Sequence, residues 1–299
     1  MGKIAFVFSG QGDQHPGMGA ELYEQYPAAA RVFELCDSIR PGTKHTCFSG
    51  TAEELMETRN TQPCLFAMEL AAAAVLRQLG VQPEAEAGFS LGEVAAATDC
   101  GFFSLEDGFR LVCRRGELMQ READRCDASM AAVVKLPAET VQELCQKIEN
   151  VYPVNFNCPG QVTVSGLSAQ MPALAAAVKA AGGRAIPLQV KGGFHSPFMA
   201  QAARDFEQEL WKANIGAGAV PLYANRTGRP YTDDVVGLLS EQICSPVRWE
   251  ETIRNMIADG ADDFIEIGPG RTLTNMIKKI DSAVKARTVF EYLEDRKSC

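Results

Sequence analysis

The chain has 299 residues, 46% of them apolar and 22% charged, with a formal net charge of −9. That is enough chain for one large domain, or for one domain with a smaller one inserted, and the composition excludes disorder as the default state. The acidic balance argues against a nucleic-acid binder, which needs a basic surface, and no apolar run reaches the ~20 residues of a bilayer span.

The chain begins with Met1-Gly2 and enters a predicted strand at once, Lys3 to Phe8, closed by the tight loop Ser9-Gly10-Gln11-Gly12. This start lacks the charged and apolar stretches of a secretory signal, so a cytoplasmic location is expected. After Gln62-Pro63, the Ala- and Leu-rich stretch from Leu65 to Leu79 predicts a buried helix capped at Gly80. Glu84 to Gly88 reads as a strand leading into Phe89-Ser90-Leu91-Gly92-Glu93 and an Ala-rich helix, although two glutamates sit awkwardly in a central parallel strand.

From Met130 to Val190 the pattern becomes strand, helix, strand, strand, helix, strand, the arrangement of a ferredoxin-like unit. Helix and strand then alternate again. A helix is expected from about Phe198 to Ala213, a short strand from Pro221 to Ala224, helices near Val236 to Ile243 and Glu251 to Ala258, a strand from Asp263 to Ile267, and a last helix after Gly268-Pro269-Gly270. The predicted fold class is α/β: an α/β-hydrolase-like large domain from residues 1–127 and 193–299, with a ferredoxin-like small domain, 128–192, inserted and a substrate cleft between them. The ten cysteines, spread from Cys36 to Cys299 with no CxxC pair, read as small buried apolar residues, and no metal site is predicted.

Gly88-Phe89-Ser90-Leu91-Gly92 is a G-x-S-x-G motif in the strand-to-helix context that gives it meaning. Larger side chains at the two glycines would clash in so tight a turn. The turn lifts the Ser90 hydroxyl to a helix N-terminus, where the Leu91 amide and the helix dipole can face a developing oxyanion. The same pattern also fits a chance loop before a serine-capped helix. A serine nucleophile needs a base, and there are three histidines. His15, in the first glycine-rich loop, and His45, in a polar connection, read as exposed loop residues. His195, in Gly192-Gly193-Phe194-His195-Ser196-Pro197, falls where the chain returns to the cleft and is the leading base.

Further segments join these in a fixed order: Gly10 to Gln14, Asn60-Thr61-Gln62-Pro63, Gly88 to Glu93, Arg115-Gly116 with Met119-Gln120, Asn155 to Gln161, Phe194-His195-Ser196, Gln242 ahead of Pro246-Val247, and Glu266 to Gly270. Over nearly its whole length the chain resembles the malonyl-CoA:acyl carrier protein transacylase family. The resemblance implies a ping-pong transfer of malonyl from malonyl-CoA to the pantetheine thiol of acyl carrier protein, through an ester on Ser90 with His195 as base, for fatty acid or polyketide synthesis. It implies an oxyanion hole from the backbone amides of Gln11 and Leu91, and a Gln242 carbonyl that orients the histidine. Arg115 would hold the malonyl carboxylate, with Gln62, Asn155 and Asn157 as polar neighbours. Phe194 would occupy the room an α-methyl needs. No permanently bound cofactor is implied beyond the coenzyme A thioester substrate, and a monomer is expected.

Two residues depart from the family pattern. Phe89 stands where histidine usually precedes the nucleophile, and Asp13 where a small residue is common, which sets a carboxylate near a site for an anionic substrate. The alternatives are a serine thioesterase or esterase, in which water takes the acyl group, and a non-catalytic carrier-binding subunit. Lys278 and Lys279 are candidates for a carrier-docking patch, or simply a solvated helix face.

Overall fold

Two sheets organise the computed structural model, which describes residues 2–297; Met1, Ser298 and Cys299 lie outside the described residues. The strands in chain order are β1 (Lys3–Phe8), β2 (Ala85–Gly88), β3 (Ala128–Val134), β4 (Val151–Cys158), β5 (Gln161–Leu167), β6 (Arg184–Lys191), β7 (Leu222–Tyr223), β8 (Ala261–Ile267) and β9 (Lys285–Thr288). One sheet has the order β7-β2-β1-β8-β9, with every pairing parallel. The other is antiparallel, with the order β4-β5-β3-β6.

β1 takes the middle of the parallel sheet because Ala5, Phe6, Val7 and Phe8 are apolar on both faces and wholly buried. The chain leaves it toward β2 and β7 and returns on the other side as β8 and β9. The loops after β1, β2 and β8 therefore gather at one edge, at the switch point where open α/β sheets bind ligands. The Thr58–Gln78, Leu91–Asp99 and Leu105–Arg125 helices cover one face and bury Leu65, Phe66, Val94, Phe109 and Val112 with Phe6 and Phe8.

Charge pairing explains the awkward glutamates. Glu84 is exposed, and Glu86, wholly buried in β2, meets Arg77 at 3.0 Å, which also holds Asp99 at 2.7 Å. Burial and the neighbouring Asp99 push the Glu86 carboxyl well above the usual range, against the pull of Arg77.

The antiparallel sheet carries the expected βαββαβ order, and its helices, Ala138–Gln146 and Met171–Ala180, bury Val141, Leu174 and Val178 against Val133, Val162 and Val164. β4 fastens this sheet to the rest: Phe156 N–H donates to the Val247 carbonyl (2.9 Å) and Val247 N–H to the Val154 carbonyl (2.8 Å).

Some boundaries differ from the sequence reading. The helix expected from Leu65 begins at Thr58 and runs through Pro63. His45 belongs to the Thr43–Ser49 helix and is exposed there, so it does not lie in a connection. Beyond the expected last helix, Thr272–Ile280, come edge strand β9 and the Val289–Lys297 helix. The nine described cysteines are all free; Cys36, Cys47, Cys64, Cys100, Cys145 and Cys158 are buried, and the other three are half-buried. No described helix is long and apolar enough to cross a membrane.

Candidate active site

Ser90 joins β2 to the Leu91–Asp99 helix at φ 57°, ψ −108°, a backbone conformation uncommon for a residue with a side chain. Close packing imposes it. A Cβ on Gly88 would lie 1.9 Å from the Gly92 carbonyl oxygen, and one on Gly92 would lie 2.4 Å from the carbonyl oxygens of Phe8 and Ser9. Both glycines are thus needed for the elbow to sit on the end of β1. Asn225 pins the turn: its Oδ1 accepts from Ser90 N–H (2.7 Å) and its Nδ2 donates to the Gly88 carbonyl (2.5 Å). As the first residue of its helix, Leu91 has an amide with no intrahelical acceptor.

His195 lies beyond β6, and its Nε2 is 2.7 Å from Ser90 Oγ. Its Nδ1 is 2.9 Å from the Gln242 carbonyl, and its own N–H donates to the Ile243 carbonyl at 3.2 Å. A carbonyl only accepts, so Nδ1 carries the ring proton and Nε2 keeps a lone pair for the Ser90 hydroxyl. Burial, reinforced by the nearby Arg115 charge, pulls the imidazole down to about 4. The ring is therefore neutral at physiological pH and can accept a proton.

Arg115 comes from the Leu105–Arg125 helix and is wholly buried. The following Gly116 lets that helix close on the start of the Thr58–Gln78 helix, since a Cβ there would sit 3.0 Å from the Thr58 carbonyl. The approach brings Gln62 to Arg115: Nη1 donates to Gln62 Oε1 at 2.8 Å, and Nη2 to Gln242 Oε1 at 2.7 Å and to Ser90 Oγ at 3.3 Å. These acceptors are neutral, and Nε has no partner among the described residues. Burial draws the guanidinium down to about 10 while Glu93 pulls it back, so it stays charged at neutral pH. A buried cation held by neutral groups is equipped to take an incoming carboxylate.

The cavity over Ser90 has a volume of about 80 Å³. Met119, Met130, Leu188, Val190 and Phe194 give it apolar walls; Gln11, Gln62 and Asn155 add polar groups. Asn157 lines a neighbouring cavity of about 200 Å³ with Gly12, Asp13 and Thr272, and donates to Thr163 Oγ1 at 3.1 Å. A larger groove of about 750 Å³, between Met56 and Val190, has none of the Ser90, His195 and Arg115 cluster on its wall.

Such a grouping fits acyl transfer: a hydroxyl beside a neutral imidazole, an unbonded amide at a helix start, and a buried guanidinium 3.3 Å from the hydroxyl. The sequence profile described as acyl transferase domain matches residues 5–292. The chain belongs to this family. The malonyl CoA-acyl carrier protein transacylase of Bacillus subtilis (strain 168) is 39% identical, covering 97% of this chain and 94% of that protein. Among solved structures, the transacylase of the same description from Clostridium perfringens superposes with a TM-score of 0.94 at 32% identity, over 99% of this chain and 97% of that one. A malonyl-transacylase solved in complex with its type II PKS acyl-carrier protein gives a TM-score of 0.94 at 32% identity, over 98% and 99% of the two chains.

Within this acyl transferase fold the two departing residues have structural employment. Asp13 caps the Thr272–Ile280 helix, taking Thr272 Oγ1 at 2.8 Å and Thr272 N–H at 3.3 Å, so its carboxylate is engaged at that helix start. Phe89 packs edge-on against Trp249, ring centroids 5.4 Å apart, and abuts Gly10, where a Cβ would come within 2.8 Å of the ring. His15 is exposed, as are Lys278 and Lys279 on the Thr272–Ile280 helix. Sequence reasoning did not single out Asn225, Tyr231 or the carboxylate of Glu93. The available signals were an asparagine directly after a short parallel strand and an acid one turn into the helix that follows the serine.

Proposed function

We propose that this acyl transferase carries malonyl from malonyl-CoA to the pantetheine thiol of an acyl carrier protein, as the names of its relatives describe for them. The observation that carries this reading is the position of Ser90 Oγ between a base and a cation, 2.7 Å from His195 Nε2 and 3.3 Å from Arg115 Nη2. His195 Nε2 takes the hydroxyl proton as Oγ forms a bond to the thioester carbon. The carbonyl electrons shift to oxygen, held by the amides of Gln11 and Leu91, each worth about 3 kcal/mol by analogy with comparable donors. The electrons return, the C–S bond breaks, and the imidazolium passes its proton to the departing coenzyme A sulfur. The carrier thiol then gives its proton to His195 and takes the malonyl group by the reverse sequence.

Arg115 selects a dicarboxylic acyl group, offering Nε–H and the two Nη atoms to the free carboxylate. Gln62 and Asn155 border the acyl group, Asn157 the neighbouring cavity, and Phe194 fills the space beside Cα of the acyl chain. In this reading residues 1–127 and 193–299 hold the reacting groups, and residues 128–192 form the opposite lip of the cleft. The enzyme works as a cytoplasmic monomer without a resident cofactor and feeds fatty acid or polyketide synthesis.

Incubation with radiolabelled malonyl-CoA followed by holo-acyl carrier protein tests the reaction. Label that passes to the carrier supports transfer; label released as free malonate at the same rate with and without carrier means a thioesterase; carrier binding without any label on the protein means a non-catalytic subunit.

A further inference from the structure

Glu93 is wholly buried one turn beyond Ser90, and the mechanism above gives it no task. Donors reach both of its oxygens: Tyr231 OH (2.5 Å) and Asn225 N–H (3.2 Å) on Oε1, and Gln242 Nε2 (2.7 Å) on Oε2. The Gln242 amide is the link of interest. Its Nε2 also donates to the Ser90 carbonyl at 2.7 Å, and its Oε1 accepts from Arg115 Nη2 at 2.7 Å.

An amide can be turned end for end, and only one of its two orientations suits Arg115. With Oε1 toward the guanidinium the contact is attractive; turned over, the amide NH₂ would face a cation. A carboxylate at the other end accepts only and so demands the NH₂. We propose that Glu93 is a positioning residue for recognition of the acyl carboxylate: together with the Ser90 carbonyl, which accepts from the same NH₂, it locks the Gln242 side chain in the orientation that holds Arg115 Nη2 beside Ser90. Burial pushes the Glu93 carboxyl up to about 7 against the pull of its donors and of Arg115, so at pH 8 it is ionised and offsets Arg115 across one intervening side chain, the guanidinium's own hydrogen-bond partners being neutral. This inference rests on the reading of Arg115 as holder of the acyl carboxylate.

The substitution Glu93→Gln keeps the volume and can still accept from Tyr231 and Asn225, but it sets a second NH₂ against Gln242. Loading of Ser90 is to be followed by intact-mass spectrometry at pH 8, in parallel with malonyl-CoA and acetyl-CoA. The expected result is a fall in the malonyl-to-acetyl loading ratio on the order of tenfold, the scale of one lost charge-assisted hydrogen bond. Tyr231→Phe, which removes a different Glu93 contact and leaves the Gln242 link intact, is expected to keep the wild-type ratio. Should Glu93→Gln not fold, Glu93→Asp carries the test, because the shorter side chain withdraws the carboxylate from Gln242 Nε2 while Gln242 and Arg115 stay intact; its ratio must fall likewise. An unchanged ratio in the folded variant, or the same fall in Tyr231→Phe, overturns the proposal and leaves Glu93 as a packing residue. A wild-type protein that loads acetyl as readily as malonyl removes the underlying reading of Arg115 before any variant is compared.

Discussion

Replacing Arg115 by alanine separates binding of the acyl carboxylate from the chemistry at Ser90. In the structure the guanidinium has two Nη atoms on neutral acceptors at 2.7 to 2.8 Å and an Nε without a partner, all wholly buried. A malonyl carboxylate gripped by two of these N–H groups gains two charge-assisted hydrogen bonds of about 1.5–3 kcal/mol each. Dehydration of the carboxylate offsets part of that, leaving about 2–4 kcal/mol, or about 30- to 10³-fold in kcat/KM. Acetyl-CoA makes no such contact and should lose little. Stopped reactions with each donor, read by intact mass, give both rates, and a thermal melt of Arg115→Ala checks that the neighbours it orphans, Gln62 and Gln242, have not unfolded the protein. If malonyl and acetyl loading drop by the same factor in a folded variant, Arg115 acts on the elbow and not on the acyl tail, and the argument fails.

Three further outcomes follow from the same geometry. Because His195 is held at about 4, Ser90 labelling by an uncharged fluorophosphonate should stay flat as pH falls from 8 to 5 and decline only near 4; a midpoint near 6.5 would contradict its buried, neutral state. The sign for stability agrees: the folded value lies below the unfolded 6.5, so this group's contribution is complete above pH 6.5 and is lost as pH falls toward 4, which a pH series of melts can follow. Phe194, almost fully buried beside His195 on the cavity wall, should favour malonyl over methylmalonyl by about 1–3 kcal/mol, the worth of one methyl group, so Phe194→Ser should raise the methylmalonyl-to-malonyl loading ratio about tenfold or more; equal ratios in both proteins would refute this role.

How much of this could be read from the residues depended on how local each signal was. β1, the elbow and the βαββαβ order were legible because apolar period, glycine spacing and turn chemistry act within a few neighbours. The start of the Thr58–Gln78 helix was not, because Pro63 looks like a beginning when its helix is viewed alone; packing against Gly116 carries the helix through it. β9 was missed because an edge strand of four residues, Lys285 to Thr288, buries only Ala286 and Thr288 and carries almost no apolar pattern. In the site, Ser90, His195 and Arg115 were found by residue type and family resemblance. Asn225 and Tyr231 were not, since what makes them matter is contact with residues more than 130 positions away. Asp13 shows the converse: its charge was visible in the sequence, but the helix it caps lies 259 residues further on.

Every step of the proposed transfer passes through the ester at Ser90. Wild-type protein mixed with malonyl-CoA, quenched in acid, digested and mapped by mass spectrometry should carry one malonyl group on the peptide containing Ser90, and Ser90→Ala should carry none. A malonyl group found on another residue, or on Ser90→Ala at the wild-type level, would contradict it.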